Sequence, residues 1–221
     1  MGLPKTCAFY SLGCKVNQYD TESLARLFRE RGYEIVDFDS PGADVYCINT
    51  CTVTGMSDHK SRQAIRRALK RNPNAVIVVA GCYAQAFPEE VLDIPGVNVV
   101  LGTQNRGNIV DLVERIRDKD EKIDAVSRTW EETRFEELPI KGFPGRVRAF
   151  IKIEDGCEAY CSYCKVPYVR GPVRSRDPGK ILEEAERLVA SDYKEIVLTG
   201  IHLGAYGKDL AERGGEPIDL A

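Results

Sequence analysis

Hydrophobic residues in this chain form short unbroken runs that alternate with longer amphipathic stretches from Thr6 onwards. The run at residues 75–80 contains no polar side chain, which is typical of a strand buried on both faces. The stretches between the runs repeat apolar residues at helical spacing. We therefore predict a parallel sheet covered by helices on both faces, with strands at residues 6–12, 34–38, 44–49, 75–80 and 98–101.

The intervening helices complete a doubly wound α/β domain at residues 1–120. Asn17 is a suitable cap for the first helix, which Gly32 ends. Further helices are predicted at residues 57–70, at residues 88–92, and around Ile109 and Leu112. Residues 121–146, which overlap a stretch rich in Asp and Glu at residues 112–138, are assigned to a linker.

A second alternation begins at residues 147–153, another apolar run. Asp177-Pro178 opens an amphipathic helix, and residues 195–199 form the next predicted strand. Residues 147–221 are therefore predicted to be a second domain that contains one strand-helix-strand unit.

Composition places few limits on the function of this chain. It has 221 residues, 43% hydrophobic and 29% charged, and its 31 basic and 34 acidic residues give a net charge of −3. Contact with a nucleic acid would therefore depend on local patches. Residues 60–71 carry six basic side chains, although such runs are usually solvated faces. With neither a signal peptide nor a membrane span evident, we expect a cytoplasmic protein without membrane contact.

Three cysteines follow the predicted strand at residues 147–153, namely Cys157, Cys161 and Cys164. Their C-x3-C-x2-C spacing on a loop suits three corners of a 4Fe-4S cluster, and no later cysteine is available for the fourth iron. A structural zinc site would need a fourth ligand, for which His202 is the nearest later candidate. A disulfide loop is the other alternative, and it suits small secreted domains.

Three more cysteines lie just past the carboxyl ends of predicted strands, at Cys14, Cys51 and Cys82. These ends share one edge of a parallel sheet, which is where such folds bind ligands. The three thiols are therefore predicted to converge as a second cluster site. Cys7 and Cys47 fall inside strands and are predicted to be buried small hydrophobes, too distant to serve as ligands.

The segments around these cysteines resemble the radical S-adenosylmethionine (radical SAM) methylthiotransferases. The aromatic Tyr163 just before the third clustered cysteine resembles the radical SAM signature. The first segment is most similar to the branch that acts on threonylcarbamoyladenosine in tRNA. The resemblance covers the whole chain and includes Gly13-Cys14-Lys15-Val16-Asn17-Gln18, Asn49-Thr50-Cys51, Gly81-Cys82-Tyr83-Ala84-Gln85 and Pro167-Tyr168-Val169-Arg170-Gly171.

The resemblance implies an enzyme that adds a methylthio group to a modified adenosine near the anticodon of tRNA. It implies two 4Fe-4S clusters, S-adenosylmethionine, and an electron donor such as a flavodoxin or ferredoxin. The cluster on Cys157, Cys161 and Cys164 would bind and cleave S-adenosylmethionine, and the cluster on the other three cysteines would supply or carry sulfur. Tyr163 resembles the aromatic whose loop backbone contacts the adenine of S-adenosylmethionine, unless it serves simple packing.

Aromatic and basic side chains around the Cys157 loop are further candidates. Tyr160 and Tyr168 are available to stack bases. The basic side chains could hold substrate phosphates or stabilise an anionic cluster, and they are Lys165, Arg170, Arg174 and Arg176.

The chain departs from the family in its length. A radical SAM barrel resembles six strand-helix units, whereas residues 147–221 hold only the first part of a partial (β/α) barrel. We therefore expect a truncated chain that needs a missing barrel segment or a partner. A ribosomal-protein methylthiotransferase and a non-catalytic iron-sulfur fragment remain as alternatives. Gly214-Gly215-Glu216 looks like a superfamily motif but follows no apolar strand, and we attribute the likeness to coincidence.

Overall fold

The structure is a computed structural model that describes residues 5–52, 55–131, 133–212, 214 and 220. Gly215 and Glu216 of the superfamily-like motif lie outside the described residues. The chain divides into two compact units, residues 1–127 and residues 128–221. The boundary therefore falls inside the segment predicted to be a linker.

The first unit alternates strands and helices as the hydrophobic pattern predicts. Its elements, in chain order, are β1 (Thr6–Ser11), α1 (Lys15–Glu30), β2 (Glu34–Val36), β3 (Val45–Thr50), α2 (Gly55–Arg71), β4 (Val76–Gly81), α3 (Cys82–Ala86), α4 (Pro88–Leu92), β5 (Val99–Leu101), α5 (Ile109–Arg115) and β6 (Ile123–Ala125).

All six strands are parallel, in the order β2-β1-β3-β4-β5-β6. Successive residues of β3 point to opposite faces, because Tyr46 and Ile48 join one hydrophobic core while Val45 and Cys47 join the other. The first core includes residues of α2, α3 and α4, and the second includes residues of α1 and α5. The predicted doubly wound sheet is thereby confirmed.

Strand β6 corrects the predicted extent of the first domain. Ile123 pairs with Val99 and Ala125 with Leu101, so part of the predicted linker at residues 121–146 belongs to the sheet. Three residues with a polar Asp124 in the centre do not form an apolar run, so the hydrophobic pattern gives no signal for this strand.

The second unit contains the predicted strand-helix-strand core and several short elements. They are β7 (Arg148–Lys152), β8 (Glu154–Asp155), α6 (Val166–Arg170), β9 (Arg174–Ser175), α7 (Pro178–Ala190), β10 (Glu195–Thr199) and α8 (Lys208–Glu212). Asp177 caps α7 by accepting a hydrogen bond from the backbone N–H of Lys180 at 3.1 Å. β10 pairs in parallel with β7, as the first step of a (β/α) barrel requires. β8 and β9 form a separate antiparallel pair.

Among the described residues, no helix combines the length and the apolar character needed to cross a membrane.

Candidate metal centres

Three of the five cysteines of the first unit follow three neighbouring strands. Cys14 comes after β1, Cys51 directly after β3, and Cys82 directly after β4. Register places Ser11 beside Asn49 and Thr50 beside Gly81, so the three strands end at one level. The predicted edge is therefore present.

Close backbone packing brings the loops that carry these cysteines together. A Cβ atom added to Gly13 would lie 2.9 Å from Cys51 Cβ and 3.0 Å from Cys51 Sγ. At Gly81 it would lie 2.6 Å from the carbonyl oxygen of Thr50. Both glycines have positive φ, at +102° and +92°. A side chain at either position would force the neighbouring loops apart.

Asn17 ties two of the loops to each other. Its Nδ2 donates to the carbonyl oxygen of Leu12 at 2.7 Å and to that of Thr50 at 2.8 Å. Asn49 Nδ2 donates in turn to the backbone oxygen of Asn17 at 3.0 Å. The prediction that Asn17 caps α1 is wrong, because the helix begins earlier, with Cys14 at its N-cap. Its role as a bridge is a site feature that the sequence did not suggest.

The three thiols differ in exposure. Cys14 is exposed at the N-terminus of α1, where the helix dipole favours an anionic ligand. Cys51 and Cys82 are each 6% exposed. One thiol is thus open to solvent while two lie under the surface, a suitable arrangement for a group held at the edge of the sheet.

Cys7 and Cys47 behave as predicted for core residues. Both are fully buried inside strands. Burial raises the pKa of the Cys47 thiol to about 12. Burial, and then the neighbouring Cys47, raises the pKa of the Cys7 thiol well above its usual value. Thiols held protonated in a core are poor metal ligands.

In the second unit, Cys157, Cys161 and Cys164 lie on the loop after β8. Cys157 N–H donates to the Gly171 oxygen at 3.0 Å, and Cys164 N–H donates to the Cys161 oxygen at 2.8 Å. A Cβ atom on Gly156, whose φ is +88°, would lie 1.9 Å from the oxygen of Pro172. The loop therefore starts at a position that only glycine fits.

The aromatic residues of this loop point outward. Tyr163 is 87% exposed, so it does not serve simple packing. The Tyr160 and Tyr168 rings meet edge to face with centroids 5.6 Å apart, and both are more than half exposed. Tyr160 has a φ of +45°, an unusual conformation for a bulky residue and one that often occurs at functional loops.

Three of the four basic residues predicted to hold phosphate or stabilise a cluster are instead buried. Arg170 donates to both oxygens of Asp155 at 2.8 and 3.0 Å, and Arg176 pairs with Glu184 at 2.6 Å. Arg174 lies 3.8 Å from Asp155. Burial would raise the pKa of Asp155, but Arg170, Lys152 and Arg174 hold it well below its usual range. The prediction that these arginines hold substrate phosphates is wrong, because charge spacing does not indicate burial. The alternative, that they stabilise an anionic cluster, stays a prediction. Lys165 is exposed.

Glu154, in β8, is a feature near this loop that sequence reasoning missed. His202, after β10, was considered only as a ligand of the zinc alternative. Glu154 is fully buried, and its Oε2 accepts the backbone N–H of His202 at 2.7 Å. Burial, opposed by that hydrogen bond, raises the pKa of Glu154 to about 7. His202 Nδ1 lies 3.9 Å from Cys157 Sγ.

No group of three or more His, Cys, Asp or Glu side chains within the described ranges is arranged to hold one metal ion, which gives the zinc alternative no support. None of the eight cysteines, all of which lie within the described residues, forms a disulfide bond, so the disulfide alternative is also unsupported. A cubic cluster binds each thiolate through a different iron, so its ligands lie further apart than those of one ion. Each unit carries one triplet of cysteines that could serve such a cluster, at the edge of the sheet in the first unit and on one loop in the second.

Comparison with known proteins finds relatives among the tRNA methylthiotransferases, the family that the cysteine motifs resemble. Residues 6–102 match a family described as Uncharacterized protein family UPF0004. The chain is 50% identical over 207 residues to the threonylcarbamoyladenosine tRNA methylthiotransferase MtaB of Bacillus subtilis (strain 168), covering 94% of this chain and 46% of that protein. It is 37% identical to a tRNA-2-methylthio-N(6)-dimethylallyladenosine synthase of Clostridium novyi (strain NT), covering 90% of this chain and 44% of that protein.

A solved structure shares the fold at low identity. The radical S-adenosylmethionine methyltransferase TsrM from Kitasatospora setae, with tryptophan and a SAM analogue bound, matches with a TM-score of 0.58 and 14% identity over 90% of this chain and 48% of that chain. The chain spans about half the length of the curated relatives it matches. Over most of its own length, the chain is thus similar to the tRNA methylthiotransferases, which confirms the resemblance predicted from its cysteine motifs.

Proposed function

We propose that this chain acts in the methylthiolation of threonylcarbamoyladenosine near the anticodon of tRNA, as a radical SAM methylthiotransferase. The observation that carries the proposal is the position of Cys14, Cys51 and Cys82 after three adjacent strands, alongside a separate three-cysteine loop. A non-catalytic iron-sulfur fragment would not need two such sites. The 50% identity to a relative named for this reaction supports the choice of substrate.

In this proposal each triplet holds one 4Fe-4S cluster. Cys157, Cys161 and Cys164 would hold a cluster that binds S-adenosylmethionine, and this cofactor would supply the radical chemistry that side chains cannot. Gly156 and the Cys157–Gly171 backbone hydrogen bond fix the start of that loop. Tyr163 is exposed, and the loop that carries it would be available to the adenine of S-adenosylmethionine.

The other triplet would carry the sulfur to be transferred. Asn17 holds the Cys14 and Cys51 loops together, and Cys51 and Cys82 are almost fully buried. The exposed pair Tyr160 and Tyr168 is suited to stacking against bases of the tRNA. The electron donor would be a flavodoxin or ferredoxin, and the reaction would take place in the cytoplasm.

The test compares tRNA nucleosides from cells with and without the gene that encodes this chain. Mass spectrometry of digested tRNA should show that 2-methylthio-threonylcarbamoyladenosine disappears on deletion. It should return with the wild-type gene but not with Cys161→Ala or Cys82→Ala. Loss of the methylthio group from dimethylallyladenosine instead would reassign the substrate. An unchanged nucleoside profile together with loss of a modified ribosomal protein would contradict the proposal.

A further inference from the structure

The exposed face of α2 carries basic residues that the proposed chemistry does not use. Lys60, Arg66 and Lys70 are exposed, and among the described residues none of them has an ion pair with a carboxylate. The other arginines of the helix differ. Arg62 lies 3.2 Å from Glu90, and Arg71 lies 2.5 Å from Asp39.

These three side chains share one face of the helix. At 100° per residue, the positions of Lys60, Arg66 and Lys70 fall within an arc of about 120°. The opposite side of α2 is buried, with Ala64, Ile65 and Ala68 in the core. At 1.5 Å per residue the basic face is about 15 Å long, enough to follow a short length of nucleic-acid backbone.

A cavity of about 320 Å³ adjoins this face, between α2 and the carboxyl end of β1. Its lining combines charged, polar, aromatic and apolar groups, and consists of Tyr10, Leu12, Lys60, Gln63, Ala64 and Arg67. The volume is at the lower end of the roughly 300–1,000 Å³ typical of small-ligand clefts. It suits one nucleotide rather than a large ligand.

Arg67 is held in place beside the cavity. Its guanidinium lies over the rings of Tyr10 and Phe38, 4.9 and 4.8 Å from their centroids, and 3.5 Å from Asp39. The Arg67 Nε atom is nevertheless buried without a hydrogen-bond partner. The guanidinium itself is partly exposed and lines the cavity, where its positive charge would attract an anionic ligand.

The cavity also lies close to the first candidate metal centre. Leu12 lines it, and the next residue, Gly13, packs against Cys51. Tyr10 is four residues from Cys14, at most about 13 Å along an extended chain. A ligand in the cavity would therefore lie near the cysteines proposed to carry sulfur.

We propose that the basic face of α2 and the adjoining cavity bind the substrate tRNA, with Lys60, Arg66 and Lys70 contacting backbone phosphates and one nucleotide entering the cavity. This inference rests on the proposed function. Charge complementarity with phosphate, together with an aromatic ring and an amide in the cavity, favours RNA over an acidic protein such as an electron donor.

The experiment measures binding of the chain to a fluorescently labelled tRNA transcript at several salt concentrations. The triple variant Lys60→Glu, Arg66→Glu, Lys70→Glu should bind about tenfold more weakly or worse at ~0.1 M salt, since each lost phosphate contact is worth several-fold. The slope of log affinity against log salt should become shallower by about 2. The control is Arg115→Glu, Arg117→Glu, Lys119→Glu, which makes the same change of charge in and after α5, on the other face of the sheet.

A second pair of variants tests the cavity. Gln63→Glu places a negative charge there without a change of shape and should weaken tRNA binding several-fold. Asn74→Asp, the same kind of change at an exposed amide outside the cavity, should leave it unchanged.

Each outcome has a distinct meaning. If the α2 triple variant binds tRNA as well as the α5 control, this inference is overturned while the proposed function stands. If the wild-type chain does not bind tRNA at all, the proposed substrate itself is in error. Unchanged tRNA binding with weakened binding of an acidic flavodoxin would assign the face to the electron donor and also overturn the inference.

Discussion

Asn17→Ala tests how the first metal centre is assembled. The Asn17 side chain is 1% exposed and donates to two backbone oxygens, those of Leu12 and Thr50. An alanine removes both donors. Because these oxygens belong to the loops that carry Cys14 and Cys51, we expect loss of stability and loss of the geometry of the site.

The magnitude follows from the two hydrogen bonds. Each is worth about 1 kcal/mol net, and a buried carbonyl left without a donor costs about 1–3 kcal/mol. Alanine is the better helix former within α1, which returns at most about 0.7 kcal/mol. The net loss should therefore be about 2–4 kcal/mol, a large share of the roughly 5–15 kcal/mol that stabilises a typical domain.

Urea unfolding of the iron-free chain measures the free energy of unfolding, and anaerobic reconstitution followed by iron analysis measures the site. Asn17→Asp keeps the size but replaces the donor with an acceptor that faces two carbonyl oxygens, so it should cost at least as much as Asn17→Ala. Asn74→Ala, at an exposed side chain of the same unit, should change stability by less than about 0.5 kcal/mol. An Asn17→Asp protein as stable as wild type would refute this account of the loops.

Three further predictions concern single residues. Cys47→Ala should leave the iron content unchanged because that thiol is buried in mid-strand. Loss of a whole cluster in this variant would show instead that Cys47 is a ligand. Gly156→Ala should destabilise the second unit and empty its cluster, because the added methyl group would clash with Pro172. Gly145 also has a positive φ but has open space around it, so Gly145→Ala should cost only the backbone strain of roughly 1 kcal/mol. Equal destabilisation by the two variants would contradict the clash. Burial raises the pKa of Glu154 from 4.5 to about 7, so the unfolded chain loses this proton at a lower pH than the folded protein. The free energy of unfolding of wild type should therefore fall by about 3 kcal/mol as the pH rises from 4.5 to 7. Glu154→Gln should remove that loss, so the variant should be more stable than wild type at pH 8 but not at pH 4.5. Glu186→Gln, at an exposed position, should not be more stable than wild type at either pH.

The hydrophobic pattern predicted the parallel sheet and most of its strands, because buried strands are short unbroken apolar runs between longer helical segments. It predicted the position of Cys14, Cys51 and Cys82 at one edge for the same reason, since the ends of parallel strands share an edge. The order of the strands, which makes β1, β3 and β4 neighbours, depends on pairing between distant residues and came only from the structure.

Other features lie beyond what periodicity can indicate. The side chain of Asn17 suits a helix cap by residue type, and only the positions of Leu12 and Thr50 show that it bridges two loops. Arg170 and Arg176 look like surface cations in sequence, but their carboxylate partners, Asp155 and Glu184, are 15 and eight residues away and face them within the core. Such pairs depend on tertiary packing.

The most direct test of the central claim is the iron and sulfide content of the anaerobically reconstituted chain. Two separate sites predict about eight irons per chain, with about four retained when Cys14, Cys51 and Cys82 are all changed to alanine. About four should also remain when Cys157, Cys161 and Cys164 are changed instead. A wild-type content of about four irons, or loss of all iron in either triple variant, would contradict the existence of two independent clusters.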